Sequence, residues 1–294
     1  MNESWTWLGA PLPGIAILGA AFLVLFIAER LAPLRAPRSS LAGRLVVNAC
    51  VSALALATAY FVVAPAAMAA LREVSFRQIG LLQWIALPEP AEVAFGFVLM
   101  DLSFYYWHMA NHKIPFLWRF HNVHHVDPDL DVSTAFRFHF GEVAFSAVFR
   151  VAQIVLIGVT PFTFALYEIF FGLHTLFHHS NVRLPLALER WINKVLVTPR
   201  MHGVHHSDVR RENNANYSVV FSLWDRLHRT LRLNIAQTRI VIGVPGYLEP
   251  ANNVVRNMLV LPFRTQRDYW RIADGPVVER SDNDSTLPRN GMQA

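Results

Sequence analysis

His121-Asn122-Val123-His124-His125 is the stretch from which the chain is read, and His202-Gly203-Val204-His205-His206 repeats its pattern further on. Spacings of three and four residues put side chains on one helix face, a turn apart, so each motif presents imidazoles together. Two further groups keep that spacing: His108-Met109-Ala110-Asn111-His112 and His174-Thr175-Leu176-Phe177-His178-His179. Of the 13 histidines, all except His228 fall between His108 and His206. Such a concentration, borne on helices, predicts a metal site rather than scattered surface or core histidines.

Imidazole is the commonest side-chain ligand for iron, copper, zinc and nickel. The spacing nominates His108, His112, His121, His124, His125, His174, His178, His202, His205 and His206 as ligands. That set exceeds the four ligands of a closed structural zinc site and suffices for two ions with open positions. The chain contains neither the Glu-x-x-His of carboxylate-bridged bundles nor the His-Glu-x-x-His of zinc proteases. Its single cysteine, Cys50, excludes an intramolecular disulfide, a zinc finger and an iron–sulfur cluster.

Four residues are expected behind the ligands. Asp101 lies seven positions before His108, on roughly the same helix face, and is expected to orient an imidazole through its second ring nitrogen. Glu168 has a weaker form of the same claim. His139 lacks a helical-spaced partner; it is read as supporting a ligand or packing, with a direct metal or proton-relay role as the alternative. His179 points about 100° away from its neighbour His178, which predicts a supporting or pocket-lining role. Glu142 can also orient a ligand, although an acid at a helix N-terminus is the plainer reading. Asp127, Asp129 and Asp131 lack the glycine and terminal glutamate of a calcium loop and read as a solvated turn.

At 294 residues, 53% hydrophobic and 16% charged, the chain is richer in apolar residues than ordinary soluble domains. Apolar runs at 12–28, 45–71 and 91–108 predict three membrane spans, with Pro65 kinking the second. The first lacks a preceding basic region and is expected to be a retained anchor. Residues 79–87 are too few to cross and read as an interfacial piece with Trp84 at headgroup depth. Residues 143–177, broken at Gly158-Val159-Thr160-Pro161, predict a hairpin that dips into the bilayer and returns. The segment 29–44 carries Arg30, Arg35, Arg38 and Arg44 against one acid, which makes it cytoplasmic by the positive-inside rule. The N-terminus is then outside, and every histidine group comes to the cytoplasmic side. The net charge of +5 suits anionic lipid headgroups; no nucleic-acid motif is present.

The expected fold is therefore all-α: an integral membrane helical bundle with a cytoplasmic histidine-rich cap. Residues 1–90 form an N-terminal transmembrane region, 91–232 a catalytic domain, and 233–294 a C-terminal extension that becomes a mobile tail after about 264.

Beyond the histidines, whole phrases resemble the fatty acid hydroxylase superfamily, also called the sterol desaturase family. They include Asp101 with Tyr106-Trp107-His108, Leu117-Trp118-Arg119-Phe120 leading into the 121–125 motif, and Thr134-Ala135-Phe136-Arg137-Phe138-His139. Thr198-Pro199-Arg200-Met201 before His202, Asn216-Tyr217, and Leu223-Trp224-Asp225-Arg226-Leu227 belong to the same pattern. The resemblance covers about 91–232. It implies a membrane-bound, non-haem di-iron enzyme that uses O2 as co-substrate and two electrons to attack unactivated C–H bonds. Two iron ions would be the cofactors, with zinc able to take their place in purified material. The implied substrate is a lipid such as a sterol, fatty acyl chain or carotenoid, hydroxylated or desaturated. An external donor, ferredoxin or cytochrome b5-like, would supply the electrons. The composition suggests a bacterial inner membrane. An ether-lipid-cleaving monooxygenase using the same site, or a non-catalytic metal- and lipid-binding membrane protein, are the alternatives. Met109 stands where many relatives have Arg, and His228-Arg229-Thr230 where they often have Phe-Gly-Thr, so the subfamily stays open.

Overall fold

A computed structural model describes residues 12–272 and 275–280. Among them the regular structure is helical, with only isolated β-bridges besides. Five long segments build the bundle. Helix α1 is Leu12–Leu31; α2, Leu41–Thr58, continues through a π-helical turn, Ala59–Val63, into α3, Ala64–Arg77; α4 is Glu89–Lys113. Helices α6, Phe140–Ile157, and α7, Pro161–His179, form an antiparallel pair. Short helices α5, Pro115–His125, and α9, Pro199–His205, lie in the cap, with α8 (Leu186–Ile192), α10 (Arg210–Asn213), α11 (Leu223–Leu227) and α12 (Val255–Val260).

The breaks between helices follow from local chemistry. Pro65 has no N–H for the carbonyl four residues back, and the helix widens into its π turn directly before it. At the α6–α7 turn Gly158 takes a left-handed φ of 77°, while the Thr160 side chain accepts from the Thr163 N–H and Pro161 opens the next helix. Gly80, at φ 104°, lies so close to the Gly158 backbone that neither position has room for a Cβ. Gln83 Nε2 donates to the Gly158 carbonyl at 2.8 Å. The two turns thus interlock at the end of the bundle opposite the histidines, above a core containing Leu71, Val74, Met100, Ile154, Phe164 and Tyr167.

Among the described residues three helical segments are long and apolar enough to cross a membrane: Gly14–Leu31, Leu41–Gln83 and Phe140–Ile157. Together they mark an all-α membrane protein. Two readings change. Helix α4, expected as the third span, is not among them; it carries Glu89, Glu92, Asp101 and Lys113 and packs among its neighbours. Helix α6, expected to dip and return, has the length to cross by itself.

The turn after α5 is not solvated. Asp127, Asp129 and Asp131 are all buried. Asp127 pairs with Arg44 at 2.7 Å and faces Arg137 at 3.7 Å, and Asp131 pairs with Arg44 at 2.8 Å. Asp129 accepts from the backbone N–H groups of Arg38 and Ser39 at 2.9 and 3.0 Å. Arg44 reaches Asp127 and Asp131 from 83 and 87 positions away, a pairing no local pattern reveals. The same contacts fasten the α1–α2 segment to the cap, so both lie at one end of the bundle.

Nor are the described residues after 264 a free tail. Trp270 stacks on Trp118, and Arg280 pairs with Glu212 at 2.7 Å. Tyr247, Met258 and Leu261 share a core with Val47, Trp118 and Val123, so the extension packs onto the cap. The part of the expected tail at 281–294 lies outside the described residues.

Candidate metal centre and its cavity

Two groups of imidazoles meet in the cap. His108 and His112 from the end of α4, His121 and His125 from α5, and His205 from α9 offer nitrogens lying within 4.8 Å of one another. His124 from α5, His179 from the end of α7, and His202 and His206 at α9 form the second group by the same measure. Each HxxHH motif serves both groups. Positions i and i+4 face one way and give His121 with His125, or His202 with His206; position i+3 is displaced around the helix and turns to the other group. The repeated motif is thus a device for bridging two adjacent sites, and His125 and His206 stack between them at 4.3 Å.

The third sequence group is used differently from expectation. His179, taken for a supporting residue, stands in the second group, whereas His174 and His178 stand outside both. His174 Nε2 donates to the Val197 carbonyl at 2.9 Å. His178 lies against the His202 ring at 4.2 Å. His179 is the α7 residue whose nitrogen joins a group, while His178, one position before it, meets the cluster through its ring; spacing alone cannot choose between two adjacent stripes on one helix.

The second ring nitrogens explain the orientation. Nδ1 of His108 donates to the Tyr217 carbonyl at 2.8 Å, that of His205 to Ala215 at 2.7 Å, that of His179 to Thr175 at 2.8 Å, and that of His124 to Arg137 at 3.3 Å. His121 Nδ1 donates to Glu142 Oε1 at 2.8 Å. Carbonyls only accept, so the proton sits on Nδ1 in these rings and the Nε2 lone pair turns inward. Inward nitrogens then approach one another: His121 to His125 at 3.2 Å, and His124 to His179, His179 to His202 and His202 to His206 at 3.1, 3.0 and 3.1 Å. Where both Nδ1 atoms donate to carbonyls, as in the His124–His179 pair, the two inward lone pairs at 3.1 Å repel unless a cation lies between them. Two nitrogens each about 2.0–2.1 Å from one ion, at right angles, would be roughly 3 Å apart. Both nitrogens of His112 and Nε2 of His205 are buried without a hydrogen-bond partner. The residues fit a metal centre.

Burial, seconded by neighbouring imidazoles, holds His124, His125, His202 and His206 well below the usual imidazole range. Burial likewise pushes His179 and His205 down to about 3. These rings are neutral at pH 7, the form that binds metal.

The supporting residues also differ from expectation. Asp101 touches no imidazole: it accepts from Trp224 Nε1 at 2.7 Å and from the Phe221 and Val220 N–H groups at 3.0 and 3.3 Å. Asp225 accepts from the Tyr217 and Ser218 N–H groups at 2.9 and 2.8 Å. Both acids hold the loop whose Tyr217 carbonyl orients His108. His139 caps α6, accepting from the Gly141 N–H at 2.9 Å and donating to the Leu259 carbonyl at 3.1 Å, and joins neither group. Glu168 pairs with Arg150 at 2.8 Å across α6 and α7. The acid that does face an imidazole in a group is Glu142.

Beside the cluster lies an apolar cavity of about 280 Å³ between α1, the α2–α3 rod, α4, α6 and α7. Leu18, Val63, Phe104, Trp107, Phe138 and Phe171 line it, and His108, His121, His124, His179 and His202 stand in its wall. The π turn contributes Ala59 and Val63. The Arg150–Glu168 pair is also in its wall.

Comparison with known proteins adds to this geometry. Residues 93–230 match the family model described as fatty acid hydroxylase. The chain is similar to an ornithine lipid hydroxylase of Rhizobium tropici, 33% identical over 171 residues, covering 56% of this chain and 48% of the relative. It is 27% identical to human cholesterol 25-hydroxylase over 146 residues, 48% of this chain and 51% of the relative. Alkylglycerol monooxygenase of Xenopus tropicalis is 30% identical over 134 residues, 46% of this chain and 29% of the relative. The matched stretch thus spans about half or less of these relatives' lengths. No solved structure matches the chain. The histidine motifs, the loop that orients them and the matching model lie in one stretch, and residues 93–230 are identified as a fatty acid hydroxylase domain.

Proposed function

We propose that the protein is an O2-dependent lipid oxidoreductase that hydroxylates a C–H bond at a pair of iron ions. The observation that carries this reading is the adjacency of two imidazole groups and an apolar cavity: a nitrogen-rich metal centre opens onto a space suited to a hydrocarbon chain. His108, His112, His121, His125 and His205 would hold one ion, and His124, His179, His202 and His206 the other.

Iron bound there would supply dioxygen activation. The protein's own residues do the rest. Glu142 and the carbonyls of Tyr217, Ala215, Thr175 and Arg137 fix the ring orientations, so the ligands need no rearrangement. Phe104, Trp107, Phe138 and Phe171 give the chain of the substrate an apolar wall and keep water from the reacting carbon. We further propose that the cap is cytoplasmic and that the membrane is a bacterial inner membrane. The α1–α2 arginines support the orientation only in part, because Arg30 and Arg44 are paired with buried acids.

The test is elemental analysis of detergent-purified protein from iron-supplemented cells, followed by mass spectrometry of membrane lipids incubated with oxygen and a reductant. About two ions per chain, iron among them, and a lipid gaining one oxygen atom are expected. One ion or none would overturn the reading, as would metal-loaded protein that oxidises no lipid.

A further inference from the structure

Hydroxylation as proposed has a fixed electron balance: C–H + O2 + 2 e⁻ + 2 H⁺ gives C–OH + H2O. A donor is oxidised by two electrons, carbon gains the hydroxyl, and the second oxygen atom leaves as water. The electrons must reach the cluster without passing through the space that holds the lipid.

A second cavity, of about 680 Å³, reaches the cluster at His112 and shares no lining residue with the apolar one. Its wall contains Trp118, Tyr269 and Trp270, and its basic lining residues are Lys113, Arg210, Arg211 and Arg280. Glu279 is the acid among its lining residues. Arg280 is engaged by Glu212, and Arg211 donates to the Arg280 carbonyl, so the basic edge is held in place by contacts of its own.

The aromatic residues form a line. Half-buried Trp270 stacks on Trp118 with ring centroids 6.1 Å apart and planes 20° apart. Trp118 in turn lies 4.9 Å from the His112 ring and 5.3 Å from that of His125. Two ring-to-ring steps therefore join this cavity to the first imidazole group. Electron tunnelling weakens exponentially with distance, which makes such a line the natural entry for reducing equivalents.

We propose that this face docks a small acidic electron-carrier protein, whose electrons enter one at a time through Trp270 and Trp118. The inference rests on the oxygenase reading above. The basic edge supplies the attraction and steers approach. Anionic lipid headgroups would meet the same charge, but they have no use for a line of rings ending at a metal ligand; the protein partner accounts for both features.

The experiment uses the full-length, iron-loaded protein with a reduced acidic [2Fe–2S] ferredoxin as the probe. Arg210→Glu and Lys113→Glu together are expected to raise the KM for ferredoxin about tenfold and flatten its salt dependence. A single turnover after reduction by dithionite should match the parent. Trp270→Leu should lower ferredoxin-supported kcat while KM and metal content stay near the parent values. Unchanged KM and salt dependence in the charge variant would overturn the proposal. So would loss of binding to anionic vesicles with ferredoxin KM unaltered, since the face would then be a lipid contact. A dithionite-reduced parent that yields no oxidised lipid would instead defeat the oxygenase reading.

Discussion

Glu142 accepts a hydrogen bond from His121 Nδ1 at 2.8 Å, and the two residues come from different helices, α6 and α5. The carboxylate fixes the tautomer and rotation of a ring whose Nε2 faces His125. Carboxylates behind metal-bound histidines typically contribute 10–100-fold in affinity. Glu142→Ala is therefore expected to weaken binding at the first group by about 10–100-fold, with Glu142→Gln, which can still accept, less affected. Chelator competition followed by elemental analysis measures this. Parental affinity in Glu142→Ala would show that the contact is incidental.

His179 and His174 divide the third histidine group between metal and scaffold. Removing His179 takes one of the four nitrogens from the second group, so His179→Ala should lose close to one ion per chain. His174 holds the Val197 carbonyl, and His174→Ala should keep both ions while losing about 1–2 kcal/mol of stability. Metal counting on the two variants side by side decides it; equal losses would mean that α7 presents its other stripe.

Much of this was legible in the sequence, and the limits have physical causes. Helical spacing identified the imidazoles because i, i+3 and i+4 neighbours share a face whatever the tertiary structure. It could not say which face of α7 turned inward, because that depends on packing against α9 and α1. Asp101 looked like a partner for His108 from seven residues away, yet Trp224 and the Phe221 N–H reach it first from more than a hundred residues along. Glu142 was the weaker candidate because the turn that brings α6 back over α5 leaves no periodic mark. Asp127, Asp129 and Asp131 read as solvated for the same reason: Arg30, Arg44 and the Arg38 and Ser39 N–H groups reach them from the α1–α2 segment.

Those arginines give a stability prediction. Asp127 is fully buried, and Arg44 and Arg137 hold its carboxyl down to about 2 against the desolvation of its site. Asp127→Ala leaves two guanidinium groups short of a buried partner and should cost about 3–5 kcal/mol. The sign of the pH effect follows from the depressed value. The stabilisation is complete above the ordinary carboxylate value of 3.8 and is lost as pH falls through about 2. Detergent-phase thermal melts of parent and variant from pH 6 to 2 should therefore converge at the acid end. A constant gap would show that lost packing, not charge, sets the cost.

The histidines give an effect in the opposite part of the scale. His205 is held down to about 3 by burial, whereas an unfolded histidine takes up its proton near 6.5. The unfolded chain then binds more protons below 6.5, so the metal-free fold should lose stability as pH falls from 6.5 towards 3. At pH 7 the rings are already neutral, and loading metal should release few protons. Calorimetric titration of the metal-free protein in buffers of differing ionisation enthalpy counts them. Release of several protons per ion would mean that the cluster is protonated before metal arrives.

Gly172 allows the cavity to be altered without touching a grouped imidazole. It lies on α7 in the cavity wall, and a Cβ there would meet Leu18 Cδ2 at 2.9 Å. A phenylalanine at this position must push Leu18 aside or fill the space where the lipid chain would lie. None of the nine grouped imidazoles is attached to that turn of the helix, so the ions should stay. Gly172→Phe is expected to keep parental metal content while long-chain lipid oxidation falls by on the order of 100-fold, the scale of cost for a misplaced reacting carbon. A short-chain substrate should suffer less, because it needs less of the cavity. If both substrates fell equally with metal retained, the lipid would have to approach the cluster by another path.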